Sequence, residues 1–351
     1  MDYESFKENF QDALKTELAD RGIDAELTAR KVEKMNNSYD AITVRPVDSA
    51  VGVNVNTEKA FADYEKGVEI KDVVEHMVDG VENSLLESPQ FDLDAFNDYD
   101  KMKSKLSMEV VSAEKNADFL ESVPHEKMED MAVVYRFVLD SSDSGNGTIL
   151  VTNQMLDQYG ITKEQLKNDA MENAPEIRPS EIRGMSEVMS ELAPGMLPEV
   201  APEDEQMFVA SVPDKIHGAG VIAYPNFMED AAQKMGGDFF VLPSSIHEVL
   251  LVKDNGQMTA KELENMVKEV NATQVEPADQ LTDHVYHYDS QNHIFEMADK
   301  FEERMREAEH DAADKDSVLG DLKEKKKEIA KKEPAKDAAT KAATKKHETS
   351  L

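Results

Sequence analysis

Residues 219–252 alternate short apolar runs with turn residues, and this pattern predicts a strand, a helix and two more strands. The predicted strands are Val221–Ala223, Phe239–Leu242 and Val249–Val252. In the helix between the first two strands, apolar residues recur at helical spacing, and Gly236 supplies the stop signal. Pro243 then interrupts the pattern, because proline has no amide hydrogen for a ladder bond. We expect this stretch to form the centre of the fold.

The N-terminal part of the chain carries two amphipathic helices with strands between them. Apolar side chains at helical spacing predict helices at residues 2–21 and 69–87. Alternating apolar residues between the helices predict an antiparallel meander. Its strands are expected at Ala25–Lys34, Tyr39–Val44 and Val51–Val55. We expect the second helix to cover one face of this sheet.

The rest of the chain alternates strands with helices. Capping boxes beginning at Thr162 and Thr259 predict helices at residues 163–173 and 260–270. We interpret the proline-rich residues 175–205 as a mobile connection that contains one short helix. Further strands are predicted at Leu106–Val111, Met131–Leu139, Thr148–Thr152, Phe208–Val212, Val285–Tyr288 and Ile294–Met297.

These elements predict an α+β protein, built mainly from antiparallel sheets covered by helices, with a disordered C-terminal tail. We predict an N-terminal half at residues 1–128 and a C-terminal half at residues 129–300, which contains the central stretch. A charged helix is expected at residues 301–322, which carry too few apolar side chains for a core stripe. Residues 323–351 are rich in Lys, Ala, Thr and Glu, so they cannot bury enough apolar surface to offset chain entropy.

The chain is strongly acidic, with 39 basic against 73 acidic residues and a formal net charge of −34. An acidic body repels nucleic acid and anionic membranes, so we expect nucleic acid binding only through the lysine-rich tail. The sequence points to an unknown protein partner and to no membrane association. It identifies no cofactor.

Cysteine is absent, which excludes disulfides, thiolate metal ligands and cysteine nucleophiles. The first residues carry neither the basic nor the apolar part of a leader peptide. No apolar run approaches the roughly 18–20 residues that cross a membrane. We therefore expect a soluble, cytoplasmic protein.

The segment that contains Ser244, Ser245, His247 and Glu248 places hydroxyl, imidazole and carboxylate groups close together in sequence. These are the residue types of nucleophilic catalysis, so a hydrolase that uses either serine with His247 is one interpretation. No Gly-x-Ser-x-Gly elbow is present, and catalytic triads are assembled by the fold rather than by sequence neighbours. The favoured interpretation is structural, with the serines bonding the backbone of a turn.

The densest group of histidines contains His284, His287 and His293. Residues three apart on a strand point to opposite faces, which weakens a metal site shared by His284 and His287. Across the predicted hairpin, His287 can approach His293, and this pair is the candidate for a divalent-metal site. The alternative interpretation is the ordinary polar face of an edge hairpin.

The string GDFFVLPSSIHEVLLV, from Gly237 to Val252, resembles the hallmark G-D-F-(F/Y)-x-L-P-S-S-I-H-E-V-L of a family of uncharacterised proteins. That family is bacterial, mainly from Clostridia and other Firmicutes, and is catalogued only as a domain of unknown function. Gly52–Val78 and Leu150–Ala174 are similar to two further segments of the family, and the resemblance extends over residues 1–300. It supports the predicted fold and compartment and implies no activity.

The predicted function is that of a non-enzymatic binding or accessory protein. The alternatives are a hydrolase at the Pro243 turn and a divalent-metal-binding protein at the histidine hairpin. The geometry of the Pro243 turn distinguishes the binding protein from the hydrolase. An ordered contact between serine and imidazole beside a pocket favours the hydrolase, whereas a filled turn favours the binding protein.

Overall fold

The computed structural model describes residues 1–34, 36–47, 49, 52–86, 93–139, 147–195, 200–201 and 203–332. These residues form two compact units, Met1–Ala298 and a second that begins at Asp299. The strands are β1 Ala25–Lys34, β2 Asn37–Pro46, β3 Val53–Asn56, β4 Leu106–Ser112, β5 His125–Met128, β6 Met131–Val138, β7 Thr148–Leu150, β8 Glu181–Gly184, β9 Met207–Ser211, β10 Phe239–Leu242, β11 Val249–Lys253, β12 Tyr286–Asp289 and β13 Ile294–Met297. The helices are α1 Tyr3–Asp20, α2 Thr57–Glu65, α3 Ile70–Leu86, α4 Leu93–Phe96, α5 Tyr99–Met102, α6 Ala117–Leu120, α7 Asn153–Tyr159, α8 Lys163–Ile177, α9 Met185–Leu192, α10 Phe227–Met235, α11 Ala260–Thr273 and α12 Ala298–Lys332. The described strands make three antiparallel sheets, so the predicted α+β class is confirmed.

The N-terminal layer consists of the sheet β1-β2-β3 with α1, α2 and α3 packed on one face. The apolar stripe that predicted α1 is fully buried against this sheet, namely Phe6, Phe10, Leu14 and Leu18. Arg21, just after α1, donates hydrogen bonds to Asp79 (2.5 Å) and Glu82 (2.8 Å) of α3 and so ties the two helices together. The predicted meander and both predicted helices are confirmed, and α2 is an addition.

The largest sheet has six strands in the order β13-β12-β10-β11-β9-β8. All four residues of β10 are buried. Phe239 and Val241 face the core shared with the β4–β6 sheet, whereas Phe240 and Leu242 face a second core that includes residues of α11. A strand that is apolar on both faces belongs in the interior of a sheet covered on both sides. The central stretch therefore holds the position that its sequence predicts.

The third sheet has β6 between β4 and β5, and β7 pairs with the end of β6. One face packs into the large core beside α8, and the other face packs against Phe119 and Leu120 of α6. β5 and β6 pair across the predicted division between residues 128 and 129, so this sheet contains residues from both predicted halves.

The prediction of a strand at Val221–Ala223 is wrong, because Gly218–Ala223 forms a 3-10 helix. A Cβ on Gly220 would collide with the carbonyl oxygen of Met108, at a separation that real Cβ atoms essentially never show. Glycine thus lets this helix approach the backbone of β4 more closely than other residues permit. The apolar run fills the space between two sheets instead of joining one.

The region predicted as a mobile connection, residues 175–205, contains regular structure. Its predicted short helix is present as α9, but β8 was not predicted and pairs with β9 at the edge of the large sheet. β5 is likewise an addition. β5 (HEKM) and β8 (EIRG) each contain a single apolar side chain, whereas the equally short β10 (FFVL) is apolar throughout, so only β10 shows the run that identifies a strand.

The second unit contains most of α12, which begins at Ala298 and continues to Lys332. It includes the predicted charged helix, residues 301–322, and the first residues of the predicted tail. Residues 333–351 of that tail lie outside the described residues. Among the described helices, none combines the length and the apolar character needed to cross a bilayer.

Candidate functional site

The segment Pro243–Glu248 links β10 to β11, and its conformation is fixed by backbone hydrogen bonds. Ile246 donates its N–H to the carbonyl of Asp279 (2.8 Å). Leu281 donates its N–H to the carbonyl of Ser244 (3.1 Å). The segment therefore pairs with a neighbouring stretch of chain, even though proline ends the preceding ladder.

The two serines of this segment were candidates for a nucleophile. Ser245 Oγ accepts a hydrogen bond from the backbone N–H of His247 (3.0 Å), which closes a local serine turn. Ser244 and Ser245 are half-buried, and Glu248 is exposed. No hydrogen bond joins a serine hydroxyl of this fully described segment to the His247 ring. The Ser245 hydroxyl thus contacts the backbone of His247 and not its imidazole ring.

His247 is held by three neighbouring elements. Its carbonyl accepts a hydrogen bond from Ser211 Oγ (2.8 Å) at the end of β9. Its Nδ1 accepts the backbone N–H of His217 (3.2 Å), so the neutral ring carries its proton on Nε2. That Nε2 lies 3.5 Å from Asp279 Oδ1. The imidazole therefore links the loop before the 3-10 helix to the stretch that pairs with the turn.

His217 lies on the inner side of His247 and faces a buried carboxylate. Its Nδ1 is 3.9 Å from Oε1 of Glu109 on β4, and the Glu109 side chain is only 1% exposed. Both atoms are buried and have no hydrogen-bond partner among the described residues. Burial lowers the pKa of His217 below its ordinary 6.5, although the Glu109 charge acts in the opposite direction.

Two arginines supply the positive charge around this histidine. Arg136 on β6 donates Nε–H to Glu109 Oε2 (2.6 Å), which compensates the buried carboxylate. Arg178 donates to Asp214 Oδ1 and to the carbonyl of Ile216, each at 2.5 Å, and so fixes the loop that precedes His217. Charge-assisted bonds of this kind hold the loop more firmly than neutral ones.

We call Glu109, His217, His247 and Asp279 the His217 array. Side-chain exposure increases along it, from 1% at Glu109 through 21% and 35% at the histidines to 39% at Asp279. It is therefore a series of acid–base groups that leads from the interior to the surface. Such groups can take up and release protons, but nucleophilic catalysis also needs a hydroxyl bonded to an imidazole, and the candidate serines do not provide one.

The two histidines of the candidate metal pair lie on different sides of the β12–β13 hairpin. His287 is fully buried, its Nε2 is 3.0 Å from Asp254 Oδ2, and its ring packs edge-to-face on Phe240. His293 lies in the turn with a φ of +56°, and its Nδ1 is 3.4 Å from Glu229 Oε1. Glu229 also accepts a hydrogen bond from Tyr288, which is paired with Phe239 on the opposite face from His287. The fold thus separates the pair.

A metal site generally requires three or more ligands of suitable type. Within the described ranges, no group of three His, Asp or Glu side chains is close enough to hold a metal ion. Each histidine of the candidate pair instead has its own carboxylate neighbour.

Sequence patterns did not identify Glu109, His217 or Asp279 as members of a site. One signal was present, since Glu109 is a single charge inside the otherwise apolar strand LSMEVV, and buried carboxylates need a partner. Its partner Arg136 and its neighbour His217 are far away in sequence. Arg136 reaches Glu109 because β4 and β6 pair in one sheet, and His217 reaches it because the 3-10 helix packs between β4 and β9.

Comparison with known proteins gave one result. No curated protein and no solved structure matches the chain. The profile of a family of unknown function, DUF5688, matches residues 3–290, which is most of the chain. The resemblance predicted from sequence is thereby confirmed at the level of an uncharacterised family, and the chain belongs to the family of unknown function DUF5688.

Proposed function

We propose that this protein is a non-enzymatic cytoplasmic binding or accessory protein, in which the Pro243–Glu248 turn is a structural junction. The observation that supports this proposal is the bonding of Ser245 and His247. The serine hydroxyl accepts a backbone N–H, and the ring nitrogen Nδ1 accepts another.

A hydrolase at this turn would need the serine hydroxyl to donate its proton to an imidazole nitrogen. Ser245 Oγ is directed at the N–H of its own turn, and His247 Nδ1 is occupied by His217. The other ring nitrogen, Nε2, lies beside Asp279. A contact of the His247 ring, with the His217 N–H or with Asp279, would have to break before a serine hydroxyl could donate to the ring, so the geometry favours the structural role.

The surface charge favours a particular kind of partner. With a net charge of −34, the chain attracts basic surfaces and repels acidic ones. Electrostatic complementarity chiefly accelerates association and excludes wrong partners. We therefore expect a protein partner with a basic contact surface, whose capture weakens as salt rises.

The test combines a reagent for activated serines with capture of partners. Three proteins are compared: the full chain, the Ser245→Ala variant, and the control variant Ser190→Ala, whose substitution is on exposed α9. Each is treated with a fluorophosphonate, and each is used separately to capture proteins from native extract. We expect no labelling of Ser244 or Ser245 and the same captured proteins for all three chains. Labelling that disappears in Ser245→Ala would overturn the proposal and establish the hydrolase alternative.

A further inference from the structure

β1 is an open edge of the three-stranded sheet in the N-terminal layer. Among the described strands, only β2 pairs with β1, and it does so along all ten residues of β1. Thr28, Ala29 and Arg30, in the middle of β1, are exposed. The backbone groups of an uncovered edge strand can bond a further strand. The outer side of β1 is therefore a surface on which another chain can add a strand.

The odd-numbered residues of β1 direct their backbone groups to this outer side. The carbonyl of Asp24, just before β1, accepts the N–H of Val47 (3.0 Å), and this bond continues the register of β1 with β2. Asp40, which lies opposite an odd-numbered residue of β1, instead donates its N–H to a side chain of α2 (3.1 Å). Bonded and non-bonded pairs alternate along an antiparallel ladder, so the N–H and C=O groups of Leu27 and Ala29 point outward.

The features that usually protect an edge strand from pairing are a proline, a bulge or repelling charges. β1 contains no proline, and its register with β2 continues without a bulge. Its charged residues Glu26 and Arg30 have opposite signs and lie at equal distances in sequence on the two sides of Thr28. When β1 pairs antiparallel with its own copy about Thr28, each Glu26 lies opposite an Arg30. The strand is therefore complementary to itself.

We propose that two copies of this chain associate through β1, antiparallel and with Thr28 opposite Thr28, to form one continuous six-stranded sheet. Leu27 and Ala29 of one copy then exchange backbone hydrogen bonds with Ala29 and Leu27 of the other copy. The interface is isologous, because both copies contribute the same strand. This inference goes beyond the proposed binding function and does not depend on it.

The charges on the exposed face of the sheet fit this register. Glu26 already pairs with Arg45 of its own sheet, and Arg30 of the second copy adds a guanidinium group on its other side. Arg30 donates one N–H to Asn54 (3.0 Å), and a guanidinium group has further N–H groups for a carboxylate. Opposite charges on facing residues stabilise a pair of strands, so the ion pairs favour this register.

On the face that α1 covers, a large side chain of one copy lies opposite a small one of the other. Ala29 is exposed, and a cleft of about 240 Å³ lies beside it, with the buried Ile42 in its lining. In the proposed register, Leu27 of the second copy lies opposite Ala29. The two-fold axis thus places one leucine side chain beside each cleft, and burial of its apolar surface favours association.

The acidic charge of the chain opposes association mainly at long range. Two copies with a formal net charge of −34 each repel one another. Salt at about 0.15 M screens charges that are more than about 8 Å apart, whereas residues facing each other on paired strands are closer than this. Association should therefore become stronger as salt rises from low to physiological concentration.

Disulfide cross-linking tests the register, because the chain has no cysteine of its own. In the proposed dimer, Thr28 faces Thr28 as a non-hydrogen-bonded pair with Cα atoms about 4.5 Å apart, a separation that a disulfide can span. The matched control is Thr16→Cys on the exposed side of α1. Under mild oxidation, Thr28→Cys should form a disulfide-linked dimer at least about tenfold faster than Thr16→Cys, because pairing raises the effective concentration of the thiols. Non-reducing electrophoresis measures both rates.

Sedimentation velocity over a range of protein concentrations, at about 0.15 M salt, measures the association of the full chain. Arg30→Glu places two acidic side chains opposite each other at two positions, so the dissociation constant should rise about tenfold. Lys101→Glu, at an exposed position on α5, makes the same change in net charge away from β1 and should leave the dissociation constant unchanged.

The inference is overturned if the wild-type protein stays monomeric over that range, or if Thr28→Cys cross-links no faster than Thr16→Cys. Equal association of Arg30→Glu and Lys101→Glu would also overturn it. Circular dichroism verifies folding, and Thr28→Cys decides alone if Arg30→Glu is unfolded. Partner capture and fluorophosphonate labelling are measured separately, so a monomeric protein would leave the proposed function intact.

Discussion

The three-stranded sheet of the N-terminal layer and the six-stranded sheet bury their side chains in different ways. In β2, Ile42 and Val44 are buried on one face, whereas on the other face Arg45 is exposed and Tyr39 and Ala41, nearer the hairpin turn, are buried with Val32. In β10, consecutive residues are all buried, because α11 covers one face and the large core covers the other. A sheet with one face partly open to solvent produces alternation in the sequence, and a sheet covered on both faces produces a continuous apolar run.

This difference determines how much of each region local sequence specifies. Alternation identifies a strand and the face that it buries, and the N-terminal strands also pair with their sequence neighbours. A continuous run identifies a buried segment only. β10 pairs with β12, which lies beyond the whole of α11 in sequence, and no local pattern indicates that partner.

The largest expected effect on stability comes from substitutions in β10, the strand that is covered on both faces. Phe239→Ala and Phe240→Ala remove rings from opposite faces of β10, and each should lower the free energy of unfolding by about 3–5 kcal/mol. In the N-terminal sheet, Ile42→Ala should cost about 2–5 kcal/mol, but the exposed Thr28→Ala should stay within about 0.5 kcal/mol. Urea denaturation measures all four. A thermally and chemically silent Phe239→Ala or Phe240→Ala would show that β10 is not covered on both sides.

A second prediction concerns glycines in the two regions. Gly220→Ala forces a Cβ against the backbone of β4 and should destabilise the protein by about 1–3 kcal/mol or more. Gly80→Ala lies on the exposed side of α3 with no atom within 4 Å of the new Cβ. It should instead stabilise the protein by about 0.5–1 kcal/mol, since alanine is the better helix former. A melting temperature of Gly220→Ala equal to or above that of the wild-type protein would contradict the close approach at Gly220.

A third prediction compares helix caps. Thr259 at the start of α11 accepts the Glu262 N–H (3.3 Å), and Glu262 accepts the Thr259 N–H (2.9 Å). Asn56 caps α2 with a single bond to the Lys59 N–H (2.9 Å). Thr259→Ala should cost about 1 kcal/mol and Thr259→Ser much less, because serine retains the acceptor. Asn56→Ala should cost no more than Thr259→Ala, and chemical denaturation that reversed this order would show that the reciprocal bond adds nothing.

The smallest expected effect is a pH dependence confined to one region. Burial lowers the pKa of His217 in the folded protein, so the unfolded chain binds its proton first as the pH falls. Stability should therefore decline as the pH drops through about 6.5, the value for an ordinary histidine, and level off once folded His217 also protonates. His217→Asn, which tolerates the left-handed backbone at this position, should reduce the decline. Exposed His76→Gln on α3 is the control, and an equal reduction in both variants would contradict a specific role for His217.

Local sequence determined much of the secondary structure. The stripe of α1, the alternation of β2, the capping box at Thr259 and the stop at Gly236 each depend on residues within a few positions of one another. Gly236 has a φ of +86° and ends α10, as expected of a residue without a Cβ. Such patterns can be recognised in the sequence because the interactions that stabilise these elements are made by residues close together in the chain.

Tertiary structure decided the rest, and for the candidate site it decided almost everything. The run at Val221–Ala223 is helical because Gly220 must lie against β4, and His217 meets Glu109 only as a result. Tertiary contacts also place His287, buried on β12, beside Asp254 and place His293, in the turn after β12, beside Glu229. Apolar runs in the sequence indicate which segments are buried, because apolar side chains avoid water. The pairing of buried segments with one another depends on contacts between residues that are distant in sequence. No local sequence pattern indicates these contacts.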